Sequence, residues 1–294
     1  MSCNYDIYLI WALMRRCNFS CEYCIASASV LRANKAQEPI APVDSTKAVQ
    51  VLNATGKTFR IGLTGGEPFL VPNFIELCHD LTQQHYISIN TNLSVATDKI
   101  RALIDAVPRH KISVIMVSAH LDELVRRSLM SRLIDNVHVL QQAGINMAVM
   151  SVVHPEHVNK FLYWRDIFKK EGIVLLAKEI FGTYNEYSYP NGYTDEQLNK
   201  LGINRISLSN YSPYGKPCCA GYNAARITCN GDIEPCAYIR EPKLGNIYKE
   251  INLSNAMRLC PMKICACPYR INLPALQANA LKKCKLPPII APST

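Results

Sequence analysis

The apolar positions of the first two hundred residues fall into short blocks separated by longer amphipathic stretches. Blocks at 6–13, 58–63, 86–90, 111–118, 145–153 and 173–181 are rich in Ile, Val and Leu, often at consecutive positions. Strands buried on both faces read this way. Between them, helical spacing runs over 45–55, 72–84, 98–107, 123–143 and 155–171. Asp44 and Thr97 precede the first and third of these stretches, Pro72 opens the second, and Gly56, Gly144 and Gly172 close the first, fourth and fifth. Six alternations of strand and helix through short connections predict a parallel sheet with right-handed crossovers. Six units suit an open or partial barrel rather than a closed barrel of eight.

Near residue 205 the pattern changes. Pro and Gly punctuate 211–217, and strand-like runs at 225–229 and 232–238 flank Asn230-Gly231. That dipeptide predicts a two-residue hairpin loop, with Cys229 inside the first of the two strands. The expected organisation is an α/β barrel over 1–205 and a small cysteine-rich unit containing the hairpin over 206–294. A unit with so little core of its own needs a staple such as a metal centre.

Composition narrows the classes. With 294 residues, 49% hydrophobic and 19% charged, the chain can bury a sizeable core, which excludes wholesale disorder. No apolar run approaches the ~18 residues of a membrane span, and the N-terminus lacks a secretory signal, so a cytoplasmic protein without a membrane partner is expected. Lys and Arg number 32 against 23 Asp and Glu, a net charge of +9. These charges are scattered and not interleaved with aromatics, which argues against a nucleic-acid partner and suits an anionic substrate.

The 13 cysteines change the picture most. An odd number in a chain without an export signal points to metal or redox chemistry rather than a disulfide scaffold. Three lie within 17–24 and eight within 218–284, while Cys3 and Cys78 stand apart, Cys78 reading as a core thiol of a helix. The first group, Cys17-Asn-Phe-Ser-Cys21-Glu-Tyr-Cys24, falls on the loop after the first strand. Three thiolates at this spacing can grip one face of a metal centre and leave a coordination position open, where a closed structural zinc site would use four. The C-terminal edge of a parallel sheet is where such folds place active sites. After the second strand comes Gly65-Gly66-Glu67-Pro68, whose glycines permit close backbone approach to a ligand.

Triad and Gly-Gly-Glu-Pro together resemble the radical S-adenosylmethionine (radical SAM) superfamily, in order and spacing over residues 5 to about 181. The resemblance implies a partial (β/α)6 barrel and a 4Fe-4S cluster on Cys17, Cys21 and Cys24, whose open iron binds SAM. It implies an electron donor such as flavodoxin or ferredoxin, and reductive cleavage of SAM to a radical that abstracts hydrogen from a substrate carbon. By the same resemblance Gly65, Gly66, Glu67 and Pro68 meet the SAM amino group and the Tyr23 backbone meets adenine. Thr91, Asn92 and Ser118 match polar positions near the SAM ribose and methionine.

In the second group, Cys219-x11-Gly231-x4-Cys236 resembles the auxiliary-cluster extension called SPASM, or its shorter form, Twitch. The following Cys260-x4-Cys265-x-Cys267, then Cys284, departs from that pattern. The resemblance implies one auxiliary 4Fe-4S cluster on Cys219, Cys236 and two of Cys260, Cys265 and Cys267, with zinc as the other reading of this unit. A cysteine outside the ligand sets could return a hydrogen atom to a substrate radical, and Cys229, Cys260 and Cys284 are the candidates. Two substrate classes fit: dehydrogenation or epimerisation of a sugar, aminocyclitol or nucleotide-linked sugar, and maturation of a ribosomally made peptide. The compact chain and positive charge favour the small molecule.

Overall fold

Six strands follow the apolar blocks closely. β1 (Ile7–Ala12), β2 (Phe59–Thr64), β3 (Tyr86–Thr91), β4 (Ile112–Ser118), β5 (Met147–Val153) and β6 (Leu175–Glu179) lie side by side in chain order, each parallel to the next. The computed structural model describes residues 5–24, 26–184, 186–204 and 213–263. Alternation along the strands sends Leu9, Ile61, Ile89, Val117, Val149 and Val153 into the main core. There they join apolar side chains of α2 (Ser45–Ala54), α3 (Phe74–Thr82), α4 (Thr97–Ala106), α6 (Met130–Gln142) and α7 (Val158–Lys170). Each such aliphatic side chain contributes roughly 1.5–3 kcal/mol by burial, which fixes the register of the sheet against its helices.

At four places the structure corrects the sequence reading or adds to it. The stretch read as one helix over 123–143 is two, α5 (Leu121–Arg126) and α6, because Ser128 turns left-handed at φ +54°. There the Leu129 N–H reaches the Leu124 carbonyl (2.8 Å) and the Ser128 N–H the Val125 carbonyl (3.1 Å), a Schellman closure that ends α5. A further helix, α1 (Ser27–Lys35), follows the cysteine loop; it is short and has neither a capping side chain nor a closing glycine, which hid it. The tyrosine-rich segment after β6 is a hairpin of β7 (Gly182–Tyr184) and β8 (Tyr187–Tyr189), followed by α8 (Asp195–Leu201). It is tied back to the barrel: the Tyr193 hydroxyl donates to the Val153 carbonyl at 2.6 Å and accepts from the Ile180 N–H at 2.9 Å.

The fourth correction concerns the later hairpin. The short strands are β9 (Pro217–Cys218), β10 (Ala224–Ile227), β11 (Ile233–Glu234), β12 (Gly245–Asn246), β13 (Glu250–Ile251) and β14 (Arg258–Leu259). β10 pairs in parallel with β1, from Tyr8↔Ala224 to Trp11↔Ile227, and β11 continues antiparallel. The result is one eight-stranded sheet in the order β11-β10-β1-β2-β3-β4-β5-β6. The Thr228 N–H donates to the Asp232 carbonyl (2.9 Å), so the loop is the three residues Cys229-Asn230-Gly231, not two. Cys229 therefore lies in that loop, half-buried, and not inside a strand. Among the described residues no helix is long and apolar enough to cross a membrane.

Candidate active site

The cysteine loop and the Gly-Gly-Glu-Pro segment form one body at the carboxyl ends of β1 and β2. The Leu13 N–H donates to the Thr64 carbonyl (2.8 Å), the Gly66 N–H to the Met14 carbonyl (2.9 Å) and the Glu67 N–H to the Arg16 carbonyl (3.1 Å). Both glycines are required by this approach. A Cβ on Gly65, whose φ is +143°, would stand 2.6 Å from the Met14 carbonyl oxygen, and one on Gly66 would stand 1.7 Å from that of Arg16.

Glu67 is buried and anchors the end of β3. Its Oε1 accepts from the Thr91 hydroxyl (2.7 Å) and the Phe69 N–H (3.3 Å), and its Oε2 from the Asn92 N–H (2.8 Å). Burial pushes this carboxyl up to about 7, against the pull of those three donors. The Asn92 side-chain amide reaches back to Asn18 Oδ1 (2.9 Å) and toward Cys17 Sγ (3.9 Å). Ser94 closes the network by donating to Asn92 Oδ1 (2.6 Å) and accepting from Asn18 Nδ2 (2.7 Å). Thr91 and Asn92 thus hold the loop through Glu67, and the Ser118 hydroxyl donates to Asn90 Oδ1 at 3.2 Å. Asn18, Asn34 and Ser94 were not anticipated from the sequence, where isolated polar residues carry no spacing signal. Asn34 accepts from the Cys17 N–H at 3.1 Å.

Tyr23 lies on the same rim, its hydroxyl 3.0 Å from His120 Nδ1. Burial holds His120 down near 4, so the ring is neutral and its Nδ1 can accept from the phenol. Asp122 beside it is an ion-pair partner of Lys160 and lies 3.8 Å from His157 Nδ1.

Cys17, Cys21 and Cys24 are free, half-buried thiols of one loop. Burial, with neighbouring cysteines and Glu123 adding to it, pushes Cys17 up to about 11 and Cys21 to about 12. The Phe19 N–H aims at Cys17 Sγ (3.4 Å) and supplies a donor for the extra charge. Among the described residues no three His, Cys, Asp or Glu side chains converge on a single ion. A multi-iron cluster is a wider body, and its ligands stand further apart. The residues present fit such a group.

A family profile described as the radical SAM superfamily matches residues 11–162. This chain belongs to the radical SAM superfamily. Radical SAM enzymes use SAM and a 4Fe-4S cluster, and the matched span covers the cysteine loop, the Gly-Gly-Glu-Pro segment and the strands between. Curated relatives are named GTP 3',8-cyclase. The one from Campylobacter fetus subsp. fetus (strain 82-40) is 23% identical over 80% of this chain and 81% of its own length. That from Pseudomonas fluorescens (strain Pf0-1) is 24% identical over 94% and 89%. Among solved structures, native anSMEcpe with bound AdoMet shares the fold at a TM-score of 0.57, 14% identity and coverage of 94% and 97%. Streptococcus suis SuiB shares it at 0.53, 16% identity, and coverage of 84% and 64%.

The second cysteine group gathers at the opposite end of the sheet. Cys219 and Cys236 share a small buried cluster with Tyr8, Ala220, Ala224 and Met257, and Cys218 packs against it. The Tyr238 and Ile239 N–H groups both aim at Cys236 Sγ, at 3.4 and 3.3 Å. Cys260 is buried beside β9: Arg258 pairs with Cys218, and the Cys260 N–H donates to the Lys216 carbonyl (2.9 Å). Cys265, Cys267 and Cys284 lie outside the described residues. Cys229 sits at neither group's centre but near Arg15.

Proposed function

We propose that this chain cleaves SAM reductively and takes a hydrogen atom from a carbon of a small, phosphate-bearing substrate of nucleotide type. The carrying observation is the joining of the Cys17 loop to Gly65-Gly66 at the open edge of the sheet. In this reading Cys17, Cys21 and Cys24 hold the 4Fe-4S cluster. Gly65, Gly66, Glu67 and Pro68 offer backbone to the SAM amino group, the Tyr23 backbone meets adenine, and Thr91, Asn92 and Ser118 line the site. Bound there, with an electron from a donor such as flavodoxin or ferredoxin, SAM would supply the 5′-deoxyadenosyl radical chemistry that removes the hydrogen. Asn92 and the Phe19 N–H stabilise the Cys17 thiolate, and the neutral His120 fixes the Tyr23 phenol. Cys219 and Cys236, with two of Cys260, Cys265 and Cys267, would hold an auxiliary 4Fe-4S cluster. Cys229, Cys260 and Cys284 remain the candidates for hydrogen return.

The relatives are named for ring closure on GTP, not for dehydrogenation or epimerisation of a sugar. That favours a nucleotide over a free sugar or aminocyclitol and agrees with the net charge of +9. The reading as a peptide maturase has a narrower basis: anSMEcpe was also solved with AdoMet and the Cp18Cys peptide, at 15% identity, a likeness of fold. The test is anaerobic incubation of iron-loaded protein with SAM and dithionite. Release of 5′-deoxyadenosine, increased by GTP, is expected. No release under either condition overturns the proposal, and stimulation by peptides but not by nucleotides transfers it to the second class.

A further inference from the structure

The backbone bonds from the cysteine loop to β2 and its turn end at Arg16, before the first cysteine. The stretch that carries the thiols is gripped from another side, by α5 and the residue that precedes it. His120 packs edge-on against the Phe19 ring, with centroids 6.1 Å apart, and meets the Tyr23 hydroxyl. The Arg127 guanidinium lies over the Phe19 ring at 5.5 Å. Between these contacts the Ser20 N–H donates to the Glu123 carboxylate. Phe19 and Ser20 lie between Cys17 and Cys21, and Tyr23 lies between Cys21 and Cys24. Each interval of the triad is therefore held by α5 or its preceding histidine.

The Glu123 side chain is only 10% exposed, and its charge is felt at both Cys17 and Cys21, where it adds to burial in opposing ionisation. A buried carboxylate beside thiols that become thiolates is repelled by them, and packing alone gives no reason for its place. The helix offsets that cost from three and four residues further on. Arg126 Nη2 donates to both carboxylate oxygens (2.9 and 2.8 Å) and Arg127 Nε to one of them (3.0 Å). Burial would raise this carboxyl, but the two arginines and the Ser20 N–H hold it below its ordinary value, so it stays ionised. We propose that Glu123 is the positioning residue of the cysteine loop: by holding the Ser20 N–H it keeps Cys17 and Cys21 turned toward one cluster, and its charge lowers the reduction potential of that cluster. A fixed negative charge nearby opposes the arrival of an electron. This rests on the proposed function, because it takes Cys17, Cys21 and Cys24 as the ligands of the cluster.

Two variants of the full chain, handled anaerobically, separate the two roles. Glu123→Gln keeps a carbonyl to accept from the Ser20 N–H and loses only the charge, whereas Glu123→Ala loses both. Without metal, Glu123→Ala should exchange amide hydrogens faster over 17–24 with β1–β6 unaltered, and Glu123→Gln should exchange as wild type does. Loaded with iron, Glu123→Ala should yield its first cluster at about 10- to 100-fold lower chelator concentration, and Glu123→Gln should retain it. The charge is read from the potential of the cluster whose electron paramagnetic resonance signal changes when SAM is added. Glu123→Gln should favour reduction of that cluster about tenfold, a rise of about 59 mV for one electron. Urea midpoints of the metal-free proteins serve as folding controls. An unchanged or lower potential in Glu123→Gln overturns the inference, as does Glu123→Ala that matches wild type in exchange and iron retention. Wild type whose iron signal ignores SAM strikes the proposed function and the inference with it. Failure of the inference alone leaves that response in place, so the two failures are distinguishable.

Discussion

Cys17 sits in a loop whose backbone is tied to β2 and its following turn at three points, and whose side-chain network runs through Asn18, Asn92, Ser94 and Glu67. Cys219 and Cys236, in contrast, are carried by elements of two to four residues, and pack in a cluster of six buried side chains apart from the main core. The barrel pre-forms the first end, with strands whose burial is independent of any metal. The second end is divided: Ala225, Ile227, Ile233, Leu244 and Ile247 belong to the main core, while Cys219 and Cys236 sit in the small separate cluster. One end is tied to the sheet by backbone and side-chain hydrogen bonds; the other joins it through β10 and leaves its thiols in a small cluster.

Iron ligation would break this comparison most visibly. In protein carrying both clusters, Cys24→Ala should abolish 5′-deoxyadenosine release and remove about four irons while leaving the unfolding midpoint nearly unchanged. Cys236→Ala should also remove about four irons, but with faster hydrogen exchange over 217–260 and unaltered exchange over β1–β6. Equal exchange in both variants would mean that the second end, too, folds without its metal.

Glycine substitution sharpens the same contrast at smaller magnitude. Gly66→Ala forces a Cβ to within 1.7 Å of the Arg16 carbonyl oxygen, so the loop and the strand end must part. A loss of about 3 kcal/mol or more is expected by denaturant titration. Gly221, two residues after Cys219, has φ +85° but its added Cβ would meet the Pro235 and Leu244 side chains at an ordinary 3.5–3.7 Å. Gly221→Ala should cost only the left-handed strain, about 1–2 kcal/mol. A Gly66→Ala cost as small as that of Gly221→Ala would show that the loop does not need its close approach.

The same division explains what could be read from the chain. β1 to β6 and the cysteine triad were legible because their signals are contiguous: apolar runs, C-x3-C-x2-C, and a glycine pair next to an acid and a proline. Ser128 was missed because a Schellman closure needs no glycine, and α1 because it is short and begins and ends at alanines, with neither a capping side chain nor a closing glycine. The joining of β10 to β1 was not legible at all. It is a pairing across more than two hundred residues, and four residues, Ala-Ala-Arg-Ile, carry no mark of their partner.

The smallest expected effect tests whether Glu67 serves the first end as an acid or as a fixed charge. Its folded-state value near 7 lies above the ordinary 4.5, and burial is the cause. Between these two values the folded protein binds more protons at this position than the unfolded chain does. Stability from Glu67 is therefore greatest below about pH 4.5, declines as pH rises toward 7, and levels off above it. Glu67→Gln keeps a carbonyl acceptor for Thr91 or Asn92 but has nothing to ionise. The variant should be the less stable of the two at pH 5, because one donor loses its partner, and the gap should narrow as pH rises to 8. Urea midpoints of both proteins at pH 5, 6, 7 and 8 measure this directly. A gap that stays constant across the series would mean that Glu67 is already a carboxylate throughout, held by its three donors more strongly than burial opposes it.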